Sequence, residues 1–296
     1  MTILLNHQAG RAHRARVREQ LLRYLRERGI EAVVHEVRAG EEITLLARQA
    51  VLGGERTVVA AGGDGTVGAV AAALADTEAT MAVLPLGTLN HFAKELGIPL
   101  ELEAAVEIAL TGAIRAIDVG EVNGRVFVNN SSLGLYPAIV FERERRRRRG
   151  WSKWLAMAWA SLSVPRRFPS LSVRLDADAG GACVVTPVLF VGNNEYVVES
   201  FRFGRRRSLD EGRLWVFVAP APSSRWRAIR LTLRAMFKRD RWDRDFNVFQ
   251  TRELRVETSR KQIRVALDGE IVKVPPPLRY RSRPLALRVR VPAGKG

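Results

Sequence analysis

The first third of the chain alternates short apolar runs with longer segments of helical spacing. Thr2–Leu5 is a short apolar strand candidate that ends at Asn6. Residues 13–28 place Val17, Leu21, Leu22 and Leu25 at helical spacing, and Gly29 stops that helix. Residues 31–37 read as a second, Val-rich strand, and residues 41–52 as a helix closed by Gly53 and Gly54. Residues 57–61 form a buried strand that runs straight into a glycine loop. An Ala-rich helix over 67–74, a strand over 81–84 and helices over 90–96 and 101–111 follow. Strands alternating with helices predict a parallel sheet with helices on its faces.

The pattern changes after Ile117. A hairpin is expected from strands 120–122 and 125–129 around the turn Asn123-Gly124. Strand-like runs recur at 170–175, 183–191, 214–219, 253–257, 262–267 and 285–291, with turn residues between them. Helical inserts are expected at 151–163 and 224–238. The expected organisation is an α/β domain with a parallel sheet over 1–118. A β-rich, antiparallel domain is expected over 119–296, and its last strand is a candidate to return to the first domain.

Composition narrows the partners. With 296 residues and 47% hydrophobic side chains, the chain can bury a sizeable core. Its single cysteine, Cys183, forms no internal disulfide, which fits a reducing cytoplasm. The histidines and Cys183 lack metal-ligand spacing, so zinc is not expected. The N-terminus shows no signal-peptide pattern, and no apolar run is long enough for a membrane span. A formal charge of +17 favours an anionic partner, although an arginine-rich composition accounts for it equally well. Residues 143–149 hold six arginines, and Trp151, Trp154 and Trp159 follow closely. No nucleic-acid-binding module is recognisable, so no nucleic acid is expected.

Residues 57–66 (TVVAAGGDGT) are the most informative chemically. A hydrophobic strand enters a loop with a helix just beyond it. Gly62, Gly63 and Gly65 allow positive φ and close approach of backbone N–H groups to an anion, with Thr66 at the helix start. The helix N-terminus adds partial positive charge, so phosphate is the natural ligand. The spacing is neither the dinucleotide GxGxxG nor a lysine-containing P-loop. Asp64 would repel phosphate unless it holds Mg²⁺ or accepts a proton; helix capping is its structural alternative. A second strand ends in a similar loop, with Gly87, Thr88 and Asn90, and Asn6 ends the first strand. Ligands of open parallel sheets bind at such carboxyl ends. Leu267-Asp268-Gly269-Glu270 alone reads as a turn.

Taken in order, these segments resemble the diacylglycerol kinase catalytic-domain family, soluble lipid kinases related to sphingosine kinases and, more distantly, NAD kinases. Residues 62–66 match its GGDGT loop, and residues 267–270 its Leu-Asp-Gly-Glu. Residues 6–10, 85–93, 127–134 (FVNNSSLG), 191–194 (VGNN) and 209–214 (LDEGRL) are similar to further segments of the family. His7 and His91 depart from its usual Pro and Asp, and residues 205–207 are unusually basic. The resemblance implies an NAD kinase/diacylglycerol kinase-like fold and an ATP-dependent lipid kinase. ATP phosphates would sit on Gly62, Gly63, Asp64, Gly65 and Thr66, with Asn6, Thr88 and Asn90 nearby. Asp268 would be the general base with Glu270 beside it. Asp64 would hold the catalytic Mg²⁺, and is also the rival base. Glu211, with the carbonyls of Ser208 and Arg213, would form a structural Mg²⁺ site. The implied site lies between the domains.

Residues 151–163 place tryptophans and leucines on one helical face after the arginine run, a pattern suited to an anionic bilayer interface. A helix packed on the β-rich half is the alternative. A second basic helix over 224–241 would share that surface. The expected partners are a lipid substrate, an anionic membrane surface bound peripherally, and a second copy of the chain. Lipid identity, ATP against CTP or GTP, and an NAD-type acceptor stay open at this stage.

Overall fold

The computed structural model describes residues 1–6, 11–38, 40–147, 149–152, 155, 159, 163, 170–178, 180–199, 202–221 and 246–294. The insert expected over 224–238, with the rest of its basic helix, lies outside the described residues, as do His7 and most of 151–163. The chain divides into two compact units. One holds Met1–Val119, Val126–Val128 and Arg283–Gly296; the other holds Gly120–Arg125 and Asn129–Ser282.

The first unit contains β1 (Thr2–Leu5), α1 (Arg11–Glu27), β2 (Val33–Glu36), α2 (Gly40–Leu52), β3 (Thr57–Gly62), α3 (Asp64–Leu74), β4 (Thr80–Pro85), α4 (His91–Glu95) and α5 (Leu102–Thr111). Its strands lie in the order β2-β1-β3-β4, and every neighbouring pair is parallel. Val58, Val59, Ala60 and Ala61 of β3 are fully buried, as a central parallel strand covered on both faces must be. Register sets the carboxyl edge: Leu5 lies opposite Ala61, and Gly62 opposite Pro85. Asn6 donates its N–H to the Ala61 carbonyl (2.8 Å), and Leu86 to that of Gly62 (3.0 Å). Three strand ends therefore meet along one edge.

The second unit is antiparallel. β5 (Ala113–Val122) enters it from the first unit, to which its residues through Val119 belong, and leads into β6 (Arg125–Phe127), whose Val126 and Phe127 return to the first unit, through Asn123 and Gly124, whose φ angles of 47° and 79° are those of a tight primed turn. Then come β7 (Asn130–Gly134), α6 (Leu135–Arg147), β8 (Leu171–Ala177), β9 (Gly180–Thr186), β10 (Val188–Asn193), β11 (Tyr196–Glu199), β12 (Arg202–Arg206), β13 (Leu214–Val218), β14 (Asn247–Thr251), β15 (Glu253–Glu257), β16 (Ile263–Leu267), β17 (Glu270–Val274) and β18 (Leu278–Val291). A six-stranded sheet runs β14-β13-β10-β7-β16-β17, with every pair antiparallel. β15 pairs with β8 and β8 with β9, while the first residues of β18 pair with β15. The last residues of β18 belong to the first unit, where Arg288 and Val289 pair in parallel with β4.

Three elements differ from the sequence pattern. Residues 183–191 form two strands rather than one, because Pro187 has no N–H to continue a ladder. β9 stays with β8, and β10 pairs with β7 and β13. The last strand begins seven residues earlier than its alternation suggests, since Pro284 and Leu285 interrupt the pattern. Leu285 takes φ 52°, and its N–H donates to the buried Asp118 Oδ1 at 2.8 Å. Finally, α6 incorporates most of the arginine run. Glu142 binds Arg145 and Arg146 across one turn at 3.4 and 3.0 Å, which supports the helix.

Candidate functional site

In the first unit, β3 delivers the chain into the glycine loop and α3 begins at Asp64, three residues earlier than the apolar pattern predicts. Gly63 occupies the N-cap position without a side-chain cap bond. The N–H groups of Asp64, Gly65 and Thr66 therefore open a helix whose first donors have no intrahelical acceptor. Together with the helix dipole they suit a phosphate.

The glycines are required for a reason other than the one expected. Gly62, Gly63 and Gly65 are not among the residues at positive φ. Their value is space. A Cβ on Gly62 would strike the Thr66 hydroxyl and come within 2.7 Å of Thr66 Cβ and 2.9 Å of the Asn6 carbonyl. A Cβ on Gly87 would collide with Gly63 Cα and lie 2.8 Å from Asn90 Oδ1. The two glycine loops are in backbone contact, which any side chain would prevent.

Side chains lock this arrangement. Asn6 Nδ2 donates to Thr66 Oγ1 at 3.1 Å. Asn90, buried and at φ 50°, folds its own loop: Oδ1 accepts from Gly87 N–H (3.0 Å), and Nδ2 donates to the carbonyls of Pro85 (3.1 Å) and Gly87 (2.8 Å). Thr88 is exposed on the same loop. Asp64 is not a helix cap. Its Oδ1 accepts the Phe92 N–H at 3.3 Å, tying the first loop to the start of α4. Phe92 was not legible as a functional contributor, because only its backbone takes part. Among the described residues Asp64 Oδ2 takes no hydrogen bond. One carboxylate oxygen beside bound phosphates is a donor set that Mg²⁺ uses, so these residues fit such an ion. No group of three or more His, Cys, Asp or Glu side chains gathers among the described residues.

In the second unit, Asp268 follows β16 at φ 46°, a left-handed conformation that aspartate tolerates better than most residues. Its Oδ1 accepts two backbone N–H groups, from Asn129 (2.8 Å) and Asn130 (3.0 Å). Its own N–H donates to the Asn130 carbonyl at 2.9 Å. The carboxylate is thus held by a segment nearly 140 residues distant in sequence. Glu270 opens β17 two residues later. The protein packed around its carboxyl raises its pKa from the ordinary glutamate value by desolvation, although the side chain reaches solvent. The Asn129-Asn130 pair was visible in the sequence; what it binds was not.

The acidic loop of the second unit is held largely by protein donors. Glu211 Oε2 accepts from Glu195 N–H (3.3 Å) and Trp215 Nε1 (3.2 Å). The Arg213 carbonyl accepts from Asn194 N–H (3.0 Å), and the Ser208 hydroxyl binds Asp210 Oδ1. The oxygen-only chemistry of Ser208, Glu211 and Arg213 suits Mg²⁺ in kind, and among the described residues Glu211 Oε1 takes no hydrogen bond.

The same unit carries an aromatic patch on α6 and the residues after it. Phe141, Trp151, Leu155 and Trp159 are 39%, 38%, 62% and 45% exposed. The Arg146 guanidinium lies 4.9 Å from the Trp151 ring centre and 4.8 Å from that of Trp159, and the two rings meet edge to face at 6.0 Å. Arg264 covers the Phe141 ring at 4.1 Å.

Residues 1–122 match the family model of the diacylglycerol kinase catalytic domain. A Pseudomonas aeruginosa protein named "Probable lipid kinase YegS-like" is 31% identical over 281 residues, covering 91% of this chain and 87% of that protein. A diacylglycerol kinase of Bacillus subtilis is 34% identical over 143 residues, 47% of each chain. A crystal structure of a diacylglycerol kinase from Bacillus anthracis shares the fold with a TM-score of 0.69 at 18% identity, over 99% of this chain and 97% of that one. With the amide cradle of one unit and the gripped carboxylate of the other, these relationships show that the chain belongs to the diacylglycerol kinase catalytic-domain family of lipid kinases.

Proposed function

We propose that the protein transfers the γ-phosphoryl group of ATP to a hydroxyl of diacylglycerol or a related membrane lipid. The observation that carries this reading is Asp268, whose carboxylate is oriented by two backbone N–H groups so that it can accept a proton from an attacking hydroxyl. The amides of Gly63, Asp64, Gly65 and Thr66 bind the phosphates, with Asn6, Thr88 and Asn90 shaping the loop around them. Mg²⁺ held by Asp64 would neutralise charge on the transferring phosphoryl oxygens. Glu270 stands next to the base, and its raised pKa suits a group that shares or relays the proton. Ser208, Glu211 and Arg213 would hold a second, structural Mg²⁺ through oxygen ligands.

No helix among the described residues is long and apolar enough to cross a membrane. The enzyme reaches its lipid from the cytoplasm by docking peripherally on anionic membrane, with Trp151, Leu155 and Trp159 in the interface and the arginines of α6 on the headgroups. The test is transfer of labelled γ-phosphate from ATP to a panel comprising diacylglycerol, phosphatidylglycerol, a sphingoid base, ceramide and NAD. Label is expected in a lipid product, diacylglycerol first. Label in NAD alone, or in no acceptor, overturns the reading.

A further inference from the structure

Asp268 hangs from Asn129, and Asn129 is itself held through its N–H, its carbonyl and its side-chain oxygen. Its N–H donates to Asp268 Oδ1 at 2.8 Å, and its carbonyl accepts from Asn193 N–H at 2.9 Å. Its side-chain Oδ1 accepts from Arg206 Nη2 at 3.3 Å. The other arm of the same guanidinium, Nη1, donates to the Asn193 carbonyl at 3.2 Å. One side chain therefore bridges the end of β10 to the residue just ahead of β7.

Arg206 is only 8% exposed. Burying a guanidinium is unfavourable unless its donors find acceptors, so its presence in the second unit calls for a function. It ends β12, in a two-stranded hairpin separate from the six-stranded sheet, opposite Tyr196. Tyr196 is buried and packs edge to face on Phe190 of β10 at 5.5 Å, which anchors the hairpin. The Arg207 N–H donates to the Glu195 carbonyl at 3.0 Å and fixes the end of β12. The anchored hairpin thus aims one planar fork at two oxygens from different segments, which a single ammonium cannot match.

We propose that Arg206 is a positioning residue for Asp268, acting through Asn129. Loss of the fork frees the Asn129 side chain and loosens the backbone N–H that orients the carboxylate. The nucleotide loop of the first unit is untouched. This inference rests on the reading of Asp268 as the base.

The test uses the full chain with ATP and diacylglycerol in mixed vesicles. It compares wild type, Arg206→Ala, Arg206→Lys, Asn129→Ala and the Arg206→Ala/Asn129→Ala double variant. Misplacement of a catalytic group by an ångström costs about 100-fold, so Arg206→Ala is expected to lose about 10- to 100-fold in kcat with the KM for ATP within about twofold. Arg206→Lys should behave like Arg206→Ala. The double variant should be no worse than the poorer single variant, because both cut one chain of contacts. Methylguanidinium in solution should restore part of kcat to Arg206→Ala but none to Asp268→Asn. Wild-type kcat in Arg206→Ala overturns the proposal. So does a loss of kcat that tracks a lowered thermal midpoint, adds to that of Asn129→Ala and ignores methylguanidinium. A wild type that phosphorylates no lipid overturns the lipid-kinase reading, and this inference with it.

Discussion

Replacing Asp268 with asparagine keeps the shape of the side chain and removes its charge. The amide oxygen can still accept from Asn129 and Asn130, which now lie 2.8 and 3.0 Å from Oδ1. Hydrogen bonds to charged acceptors contribute about 1.5–3 kcal/mol and neutral ones about 0.5–1.5, so the two bonds together weaken by about 2–3 kcal/mol. For a unit of this size, that lowers the thermal midpoint by about 5–10 °C. The chemical effect is larger. A general base contributes about 100- to 10,000-fold, so kcat falls by that factor, equivalent to about 3–5 kcal/mol of barrier. The KM for ATP should not move, since the cradle is built from other residues. The assay is labelled phosphate in extracted lipid at 25 °C, well below the midpoint, with melting followed in parallel. Asp64→Asn serves as the comparison. Asp268→Asn retaining more than a tenth of wild-type kcat would refute the reasoning. If Asp64→Asn alone abolished transfer, the base would be Asp64.

Four further outcomes are expected. Gly62→Ala forces a Cβ against Thr66 and the Asn6 carbonyl; overpacking of this kind costs about 1–3 kcal/mol, and a raised KM for ATP with a lowered urea midpoint should show it. Trp151→Ala with Trp159→Ala should abolish sedimentation with anionic vesicles while leaving the KM for ATP unchanged, and undiminished sedimentation would remove the patch as the docking surface. The Arg252 N–H, 2.8 Å from Asp178 Oδ2, holds the Asp178 carboxyl below its ordinary pKa. Its stabilising contribution is present above the unfolded value and lost as pH falls through the folded one, so urea midpoints of Asp178→Asn should depend less on pH between about 5 and 2 than those of wild type. Glu270 has the opposite sign: its raised folded pKa means that ionisation near neutrality is destabilising, so Glu270→Gln should raise the midpoint at pH 7 and leave it unchanged at low pH.

The fold is legible in the sequence where the information is local. The alternation of apolar strands with helical spacing is enough for the parallel first half. Asn123-Gly124 is enough for its hairpin, because positive φ at both positions is a property of those two residues. The fold is not legible where local signals conflict with distant ones. The arginines of residues 143–149 carry no apolar stripe of their own, so α6 was invisible until its apolar start packed against β7 and β16. Pro284 and Leu285 hid the first half of β18, which exists because β15 offers it a partner.

At the candidate site, residues 62–66 place a strand, glycines and a helix start consecutively in the chain, a pattern that suits a phosphate. The sequence determined that much, together with the acidic identities of Asp64 and Asp268. Tertiary structure decided the rest. Gly62 and Gly87 are glycines because two loops touch, not because either needs an unusual φ. Asp64 is tied to Phe92, and Asp268 to Asn129 and Asn130. Those bonds join segments 28, 139 and 138 residues apart. Their partners are backbone N–H groups that every residue except proline carries, so no side-chain pattern can encode them; only strand register brings donor and carboxylate together.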